Sequence, residues 1–192
     1  MAGSVEGGKP DTSFYLSNGK TIILCGYKNP GSNPTTYSEF ILSICEQDTI
    51  IGFWGAILTC RLKANKDTLF VEQLEHLPTG KDNRFQPTLW TTEKIYFNGS
   101  KTLRQLSINR EIQKYSATEI AQINKNFKAA KGKIDDYKMN LLNYLFVATI
   151  SGDTAARQYF KEFPIKFGPL DGAFKEEYSD LTAMLELWDR KE

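Results

Sequence analysis

The residue types that perform acid–base catalysis are sparse in this chain. His76 is the single histidine, and no Gly-x-Ser-x-Gly elbow accompanies it to supply a nucleophile. Glu72 and Glu75 could act as a pair of carboxylates, but three residues apart on a strand they point to opposite faces. We therefore expect a protein that is not an enzyme. An enzyme whose residues converge only in space is the alternative.

Metal and cofactor chemistry also lacks a recognisable motif. The three cysteines, Cys25, Cys45 and Cys60, show no Cys-x-x-Cys spacing, and one histidine is too few for a multi-histidine metal centre. The sequence contains no phosphate-binding glycine motif and no calcium-binding loop. We expect no metal and no cofactor. The cysteines are predicted to be buried free thiols, although the sequence leaves open whether any two of them form a disulfide.

The charge balance argues against nucleic-acid binding, and the hydropathy argues against a membrane-spanning segment. The 192 residues include 24 Lys and Arg against 23 Asp and Glu, which gives a net charge of +1. A nearly neutral chain is not a basic nucleic-acid scaffold, so no nucleic acid is expected as a partner. The longest apolar runs, Ile50–Leu58 and Leu141–Ile150, are shorter than the roughly 20 residues that cross a bilayer. We expect no membrane-spanning segment.

The first part of the chain has the β-branched and aromatic composition of strands. Asn18-Gly19 and Asn98-Gly99 predict two-residue type I′ hairpin turns. In the second hairpin this register places Glu93 opposite Arg104, an oppositely charged pair that supports it. The predicted strands are Phe14–Leu16, Thr21–Tyr27, Glu39–Cys45, Ile50–Leu62, Thr68–Leu74, Thr88–Phe97 and Thr102–Arg110.

The segment Ile50–Leu62 is predicted to be the central strand of the sheet. Both of its faces are apolar, and such a strand must be covered on both sides. Gly52 and Gly55 interrupt it, which suggests a bend or a bulge.

After residue 112 the apolar spacing becomes helical. Ser116 and Glu119 form a capping-box pattern at the start of one helix, and Asp136–Ser151 is a second helix that is apolar nearly all round. A third helix, Thr154–Phe163, is predicted to end before Pro164. The last helix spans about Gly172–Arg190.

These elements predict an α+β fold. An antiparallel meander of about six to seven strands is followed by three to four C-terminal helices packed on it. A strongly curved sheet is the alternative to a flatter one. Residues 1–11 are expected to be a flexible lead-in or a cloning scar. Residues 12–112 form the β region, and residues 113–192 form the helical region, with both regions in one compact domain. Whether the sheet closes into a barrel is left open.

Two groups of side chains are candidate binding sites. Residues 171–192 hold seven acidic against three basic residues, and an interface combines such charges with aromatic anchors. Glu176, Glu177, Asp180 and Tyr178 of the last helix are therefore the predicted partner-binding residues. The alternative is an apolar pocket in the sheet, lined by Trp54, Phe53 and Trp90.

One stretch of the β region suggests a class of protein. The run Trp90–Phe97, with Leu77–Lys81 before it, resembles segments of small exported bacterial proteins, particularly those of Bacteroidetes. Small α+β proteins without catalytic motifs often resemble immunity proteins, which neutralise a cognate toxin by binding it. The resemblance implies a periplasmic or envelope location, with the cytoplasm as the alternative, and it assigns no site residue.

The sequence thus favours a non-enzymatic module whose partner is a protein, of the kind that neutralises a cognate bacterial toxin. The alternative function is an exported envelope protein that holds a small apolar ligand in a sheet-lined cavity. The oligomeric state is left open.

Overall fold

The computed structural model describes residues 11–47, 49–56 and 58–190. Within them, an antiparallel sheet of eight strands precedes four helices, which confirms the α+β class. The strands are β1 Thr12–Tyr15, β2 Thr21–Lys28, β3 Tyr37–Ile44, β4 Thr49–Trp54, β5 Thr59–Asn65, β6 Thr68–Leu77, β7 Gln86–Asn98 and β8 Lys101–Ile108. The helices are α1 Ala117–Ala129, α2 Asp136–Ile150, α3 Thr154–Phe167 and α4 Gly172–Asp189.

Some predicted features lie outside the described residues. They are residues 1–10 of the lead-in, Ile57 of the predicted central strand, and the last two residues of the acidic C-terminal segment.

The strands pair in the order β1-β2-β3-β5-β6-β7-β8, with β4 also pairing with β3. Within the described residues this sheet does not close into a barrel. The chain divides into two compact units. The strand unit contains the described residues up to Glu75 together with Pro87–Arg110, and the helical unit contains His76–Gln86 together with the described residues from Glu111 onward. That both regions form one domain stays a prediction.

The predicted central strand Ile50–Leu62 is wrong, because this segment forms two strands. Both pair with β3: Trp54 of β4 lies opposite Phe40, and Cys60 of β5 lies opposite Tyr37. The Gly55 carbonyl between them accepts a hydrogen bond from the backbone amide of Leu58 (3.1 Å), which closes a turn where a single strand was expected. It also accepts one from the Glu39 amide of β3 (3.4 Å). The expected cover on both faces is also absent from the described part of β4, whose outward side chains are exposed.

The turn between β7 and β8 is shifted by one residue from the predicted one. Asn98 pairs with Lys101, so the turn residues are Gly99 and Ser100. Gly99 has a φ of +60°, and a type II′ turn requires glycine at this first position. Because both turn residues move by one position, each residue of β7 pairs with a β8 residue two positions further along than predicted. Glu93 therefore lies opposite Leu106 and not opposite Arg104.

The β1–β2 hairpin also differs from the predicted two-residue turn. Leu16 donates a backbone hydrogen bond to Lys20 (2.9 Å), which leaves a three-residue loop ending at Gly19. Gly19 has a φ of +80°. A left-handed glycine at the end of a three-residue loop is a common hairpin connection.

The N-terminal ends of the four helices lie where the sequence predicted them. Ser116 accepts from the Glu119 amide while the Glu119 carboxylate accepts from the Ser116 amide, so the capping box is confirmed. Helix α2 is buried along almost its whole length, as its all-round apolar sequence indicated. The predicted stop before Pro164 is wrong, because α3 continues through this proline to Phe167.

Each unit has its own apolar core. In the strand unit, Leu24, Leu42, Phe40, Trp54 and Leu69 belong to one buried cluster. In the helical unit, the core includes the aromatic side chains Phe127, Phe146, Phe160, Phe163 and Phe167.

Candidate functional site

Two of the three residues predicted to line an apolar pocket, Trp54 and Phe53, point to opposite faces of β4, and the third, Trp90, is on β7. Trp54 is buried and stacks on Phe40, with ring centroids 4.9 Å apart and an interplanar angle of 7°. Phe53 is the next residue of the same strand, so its side chain points to the opposite face, where it is exposed. Trp90 is fully buried. Trp54 fills the core of the strand unit and does not share a surface with Phe53.

The acidic residues predicted on the last helix are all on α4 and exposed: Glu176, Glu177 and Asp180. Tyr178 differs from them, because it is only partly exposed and stacks on Phe160 at 5.4 Å. Glu177 also accepts a hydrogen bond from the side-chain amide of the buried Asn143. This face of α4 therefore presents charge, while its aromatic residue is engaged inside the helical unit.

Sequence reasoning missed an apolar surface of the strand unit, which lies on the face of the sheet opposite its core. Cys25, Ile41 and Phe53 form one row across β2, β3 and β4. Ile23 and Ile50 flank Ser43 in the neighbouring row.

Four large side chains of β1, β2 and β4 are unusually exposed. Tyr15 is 79% exposed, Ile50 67%, Phe53 62% and Tyr27 55%. Large apolar side chains grouped on one surface mark an interaction site more often than scattered ones do. We call this surface the outer sheet face and define it as Tyr15, Ile23, Cys25, Tyr27, Ile41, Ile50 and Phe53.

Arg104 of β8 fixes the strand that carries Ile50 and Phe53. Its guanidinium donates to both carboxylate oxygens of Glu93, at 2.5 and 3.0 Å, and to the Ile51 carbonyl at 3.2 Å. The same group lies over the Trp54 ring, 5.3 Å from its centroid. The hydrogen bonds to Glu93 raise the pKa of Arg104, so the arginine stays charged. The predicted Glu93–Arg104 pair therefore forms, diagonally across the hairpin.

The residues considered for catalysis have structural partners. Glu72 is buried and accepts hydrogen bonds from Arg61 (2.6 Å) and Lys63. Burial alone would raise the pKa of Glu72, but the hydrogen bonds from Lys63 and Arg61 outweigh it and lower this pKa. Glu75 accepts from the Gln73 amide at 2.6 Å. His76 is exposed, and its ring stacks on Phe85 at 5.5 Å.

The cysteines are free thiols, but only one is fully buried. Burial raises the pKa of the Cys60 thiol to about 12, so this cysteine is a poor nucleophile. Cys25 is partly exposed, and Cys45 is exposed, contrary to the expected burial.

No group of three or more His, Cys, Asp or Glu side chains in the part of the chain that the structure describes could hold a metal ion. Among the helices described, none combines the length and the apolar character needed to cross a bilayer.

No family model, no curated protein and no solved structure matches this chain.

Proposed function

We propose that this chain is a non-enzymatic protein-binding module that contacts its partner through the outer sheet face. The observation that carries the proposal is the exposure of Tyr15, Tyr27, Ile50 and Phe53 on a sheet whose opposite face carries the buried apolar cluster of the strand unit. Tyrosine and phenylalanine are enriched at protein interfaces, where a few aromatic side chains supply most of the affinity.

The outer sheet face is held rigid before any partner arrives. Its residues stand on paired strands, and Arg104 ties β4 to β8 through Glu93 and the Ile51 carbonyl. A preorganised surface loses little conformational entropy on binding, so more of the burial energy appears as affinity.

A protein partner fits this surface better than a small apolar ligand does. Small-molecule sites are concave and bury most of the ligand. The exposed side chains here form rows along one face of a sheet, and the aromatic residue that could have lined a cavity, Trp54, is packed against Phe40.

The proposed partner is a bacterial toxin that this chain neutralises, as the resemblance to exported bacterial immunity proteins implies. In this proposal the exposed acidic side chains of α4, Glu176, Glu177 and Asp180, assist by attracting a basic partner. Complementary charge speeds encounter and selects the partner, whereas the apolar anchors hold it.

Affinity capture from the organism of origin, followed by mass spectrometry, tests the proposal when it is run with matched variants. The test variant is Ile50→Ser with Phe53→Ser. The control is Leu106→Ser, which removes a side chain of similar exposure from β8. We expect one stoichiometric protein on the wild type and on the control, and its loss or a dissociation constant raised more than about tenfold on the double variant.

Two further measurements complete this test. Charge reversal at Glu176, Glu177 and Asp180 together should slow association more than it speeds dissociation. The captured protein, expressed alone, should arrest growth, and coexpression with this chain should restore it. Equal capture by the double variant, or no stoichiometric partner on the wild type, would overturn the binding proposal, and a harmless partner would overturn its toxin identity.

A further inference from the structure

The helical unit contains a cleft that the protein-binding proposal does not use. Two adjoining depressions of about 290 and 150 Å³ share Asn126 of α1 and Tyr144 of α2. The larger one is also bordered by Asp82 and Asn83, which lie in a short turn, Lys81–Asn83. We call the two depressions together the tyrosine–amide cleft.

The polar lining of this cleft is rich in side-chain amides. Asn83, Gln122, Asn126 and Asn140 all border it. Each amide offers both a donor and an acceptor, which is the pair of functions that a hydroxyl group also has. Among the residues that the structure describes, no lysine or arginine borders either depression, whereas Asp82 and Glu119 do, so an anionic ligand is disfavoured.

Hydrogen bonds within the wall orient these side chains in advance. Gln122 donates its amide to the Asn126 side-chain oxygen at 2.7 Å, one helical turn away. This bond leaves the Gln122 oxygen as an acceptor and the Asn126 amide as a donor on adjacent turns of α1. Hydrogen bonds from Ser116 and Asn83 fix Glu119 and hold its pKa below the usual value.

The loop on the other side of the cleft is held in a conformation that few residues adopt. Asp82 and Asn83 each have a φ of +56°. The backbone bonds from Gly80 to Arg84 (2.9 Å) and from Asn83 to Gly80 (3.0 Å) close this loop. The left-handed backbone places the Asp82 and Asn83 side chains at the border of the cleft.

A tyrosine ring borders both depressions and is positioned by other rings. The centroid of Tyr144 lies 5.9 Å from that of Phe85, which stacks in turn on His76 at 5.5 Å. Tyr137, on the preceding turns of α2, is 59% exposed and borders the smaller depression. Aromatic ring faces are negatively polarised, and the C–H groups on one side of a sugar ring are weakly positive, so the two pack together.

We propose that the tyrosine–amide cleft binds a neutral saccharide. The sugar ring packs against Tyr144, while Gln122 and Asn126 bind neighbouring hydroxyl groups, one as acceptor and the other as donor. The proposal stands on the helical unit alone and is independent of the outer sheet face.

Titration of the full chain with neutral trisaccharides tests this inference. The probes are maltotriose, cellotriose, mannotriose and chitotriose at up to about 10 mM, a range that detects binding free energies of only a few kcal/mol. Amide chemical shifts in NMR spectra report the site. At least one probe should give saturable shifts confined to α1, α2 and the Lys81–Asn83 turn.

Variants separate the cleft from general surface effects. Gln122 is exposed, so Gln122→Ala should leave the fold intact and weaken binding more than about fivefold, roughly 1 kcal/mol. Tyr137→Ala provides a second exposed variant with the same expected direction. The matched control is Gln158→Ala, because Gln158 donates to Glu162 at 2.7 Å in the same one-turn arrangement on α3, away from the cleft.

Three outcomes would overturn the inference. The first is the absence of saturable shifts with all four probes. The second is equal weakening by Gln158→Ala. The third is binding of sialyllactose, an anionic trisaccharide, as tight as that of the neutral probes, which would contradict the neutral class of ligand.

Discussion

Gly99 opens the β7–β8 turn with a φ of +60°, a backbone conformation that a side chain disfavours. We expect Gly99→Ala to lower the free energy of unfolding by about 1–2 kcal/mol. Gly55→Ala is the control, because Gly55 is outside the left-handed region and a Cβ there would have no heavy atom of the described residues within 4 Å. Its effect should stay within about 0.5 kcal/mol. Urea unfolding of both variants makes the comparison, and equal loss in the two would contradict the assigned turn.

Glu72 is a buried carboxylate whose partners are cationic. Replacing it by glutamine should cost roughly 1–3 kcal/mol at neutral pH, because two charge-assisted hydrogen bonds are weakened. The folded-state pKa is lowered from 4.5, so the contribution is complete above that pH and is lost as the pH falls through the folded-state pKa.

Denaturant unfolding of Glu72→Gln and wild type across pH 7 to pH 2 measures this dependence. The difference in unfolding free energy should be constant above the ordinary glutamate pKa and shrink below it. Exposed Glu176→Gln is the control and should change little at any pH. A difference that grew on acidification would contradict the ion-pair assignment.

At the scale of elements, α3 shows a conflict between local preference and packing. A proline inside a helix costs about 3 kcal/mol, because it removes one backbone hydrogen bond and crowds the preceding turn. The helix nevertheless continues to Phe167. Phe163 and Phe167 on that last turn are buried, with ring centroids 4.8 Å apart, and both contact Phe127 of α1.

If the burial of these rings overrides the proline, then Pro164→Ala should stabilise the protein by about 1–3 kcal/mol. Thermal unfolding would show a raised midpoint. Lys161→Ala, at an exposed position of the same helix, controls for the helix preference of alanine and should change the stability little. A lowered midpoint for Pro164→Ala would show that the proline is part of the stable packing.

At the scale of the whole molecule, the two faces of β4 should respond differently to mutation. Trp54 is buried against Phe40 and Arg104, so Trp54→Ala should cost about 3–5 kcal/mol. Phe53 is exposed, so Phe53→Ser should change the stability by less than about 1 kcal/mol. Urea unfolding of the two variants measures both effects. A stability loss at Phe53 as large as that at Trp54 would contradict the outer sheet face.

The elements whose signals are local could be predicted from the sequence. The Ser116–Glu119 capping box begins α1 as predicted, because its hydrogen bonds join residues three apart. The all-round apolar sequence of α2 indicated a buried helix. The same holds for β2, where the buried Ile22 and Leu24 alternate with less buried neighbours.

The candidate sites depended on contacts that join distant parts of the chain. The exposed acidic residues of α4 could be identified from the sequence, but the engagement of Tyr178 with Phe160 could not. The outer sheet face was hidden because Ile50–Leu62 has apolar residues in both alternating sets, and such a pattern does not indicate which set faces the core. The tyrosine–amide cleft brings together Asn83, Asn126 and Tyr144. These residues are far apart in the sequence, so no local pattern could predict that they border one cleft.

What the sequence determined by itself was the type and order of most elements, since hydrophobic period, capping and glycine positions act over a few residues. The tertiary structure alone decided the division of Ile50–Leu62 into β4 and β5, the two-residue slip of the β7–β8 pairing and the continuation of α3 beyond Pro164. In each of these places the local alternatives differ by only a few kcal/mol. Burial of side chains such as Trp54 and Phe167 against partners remote in the sequence supplies energies of that size, and therefore selects among them.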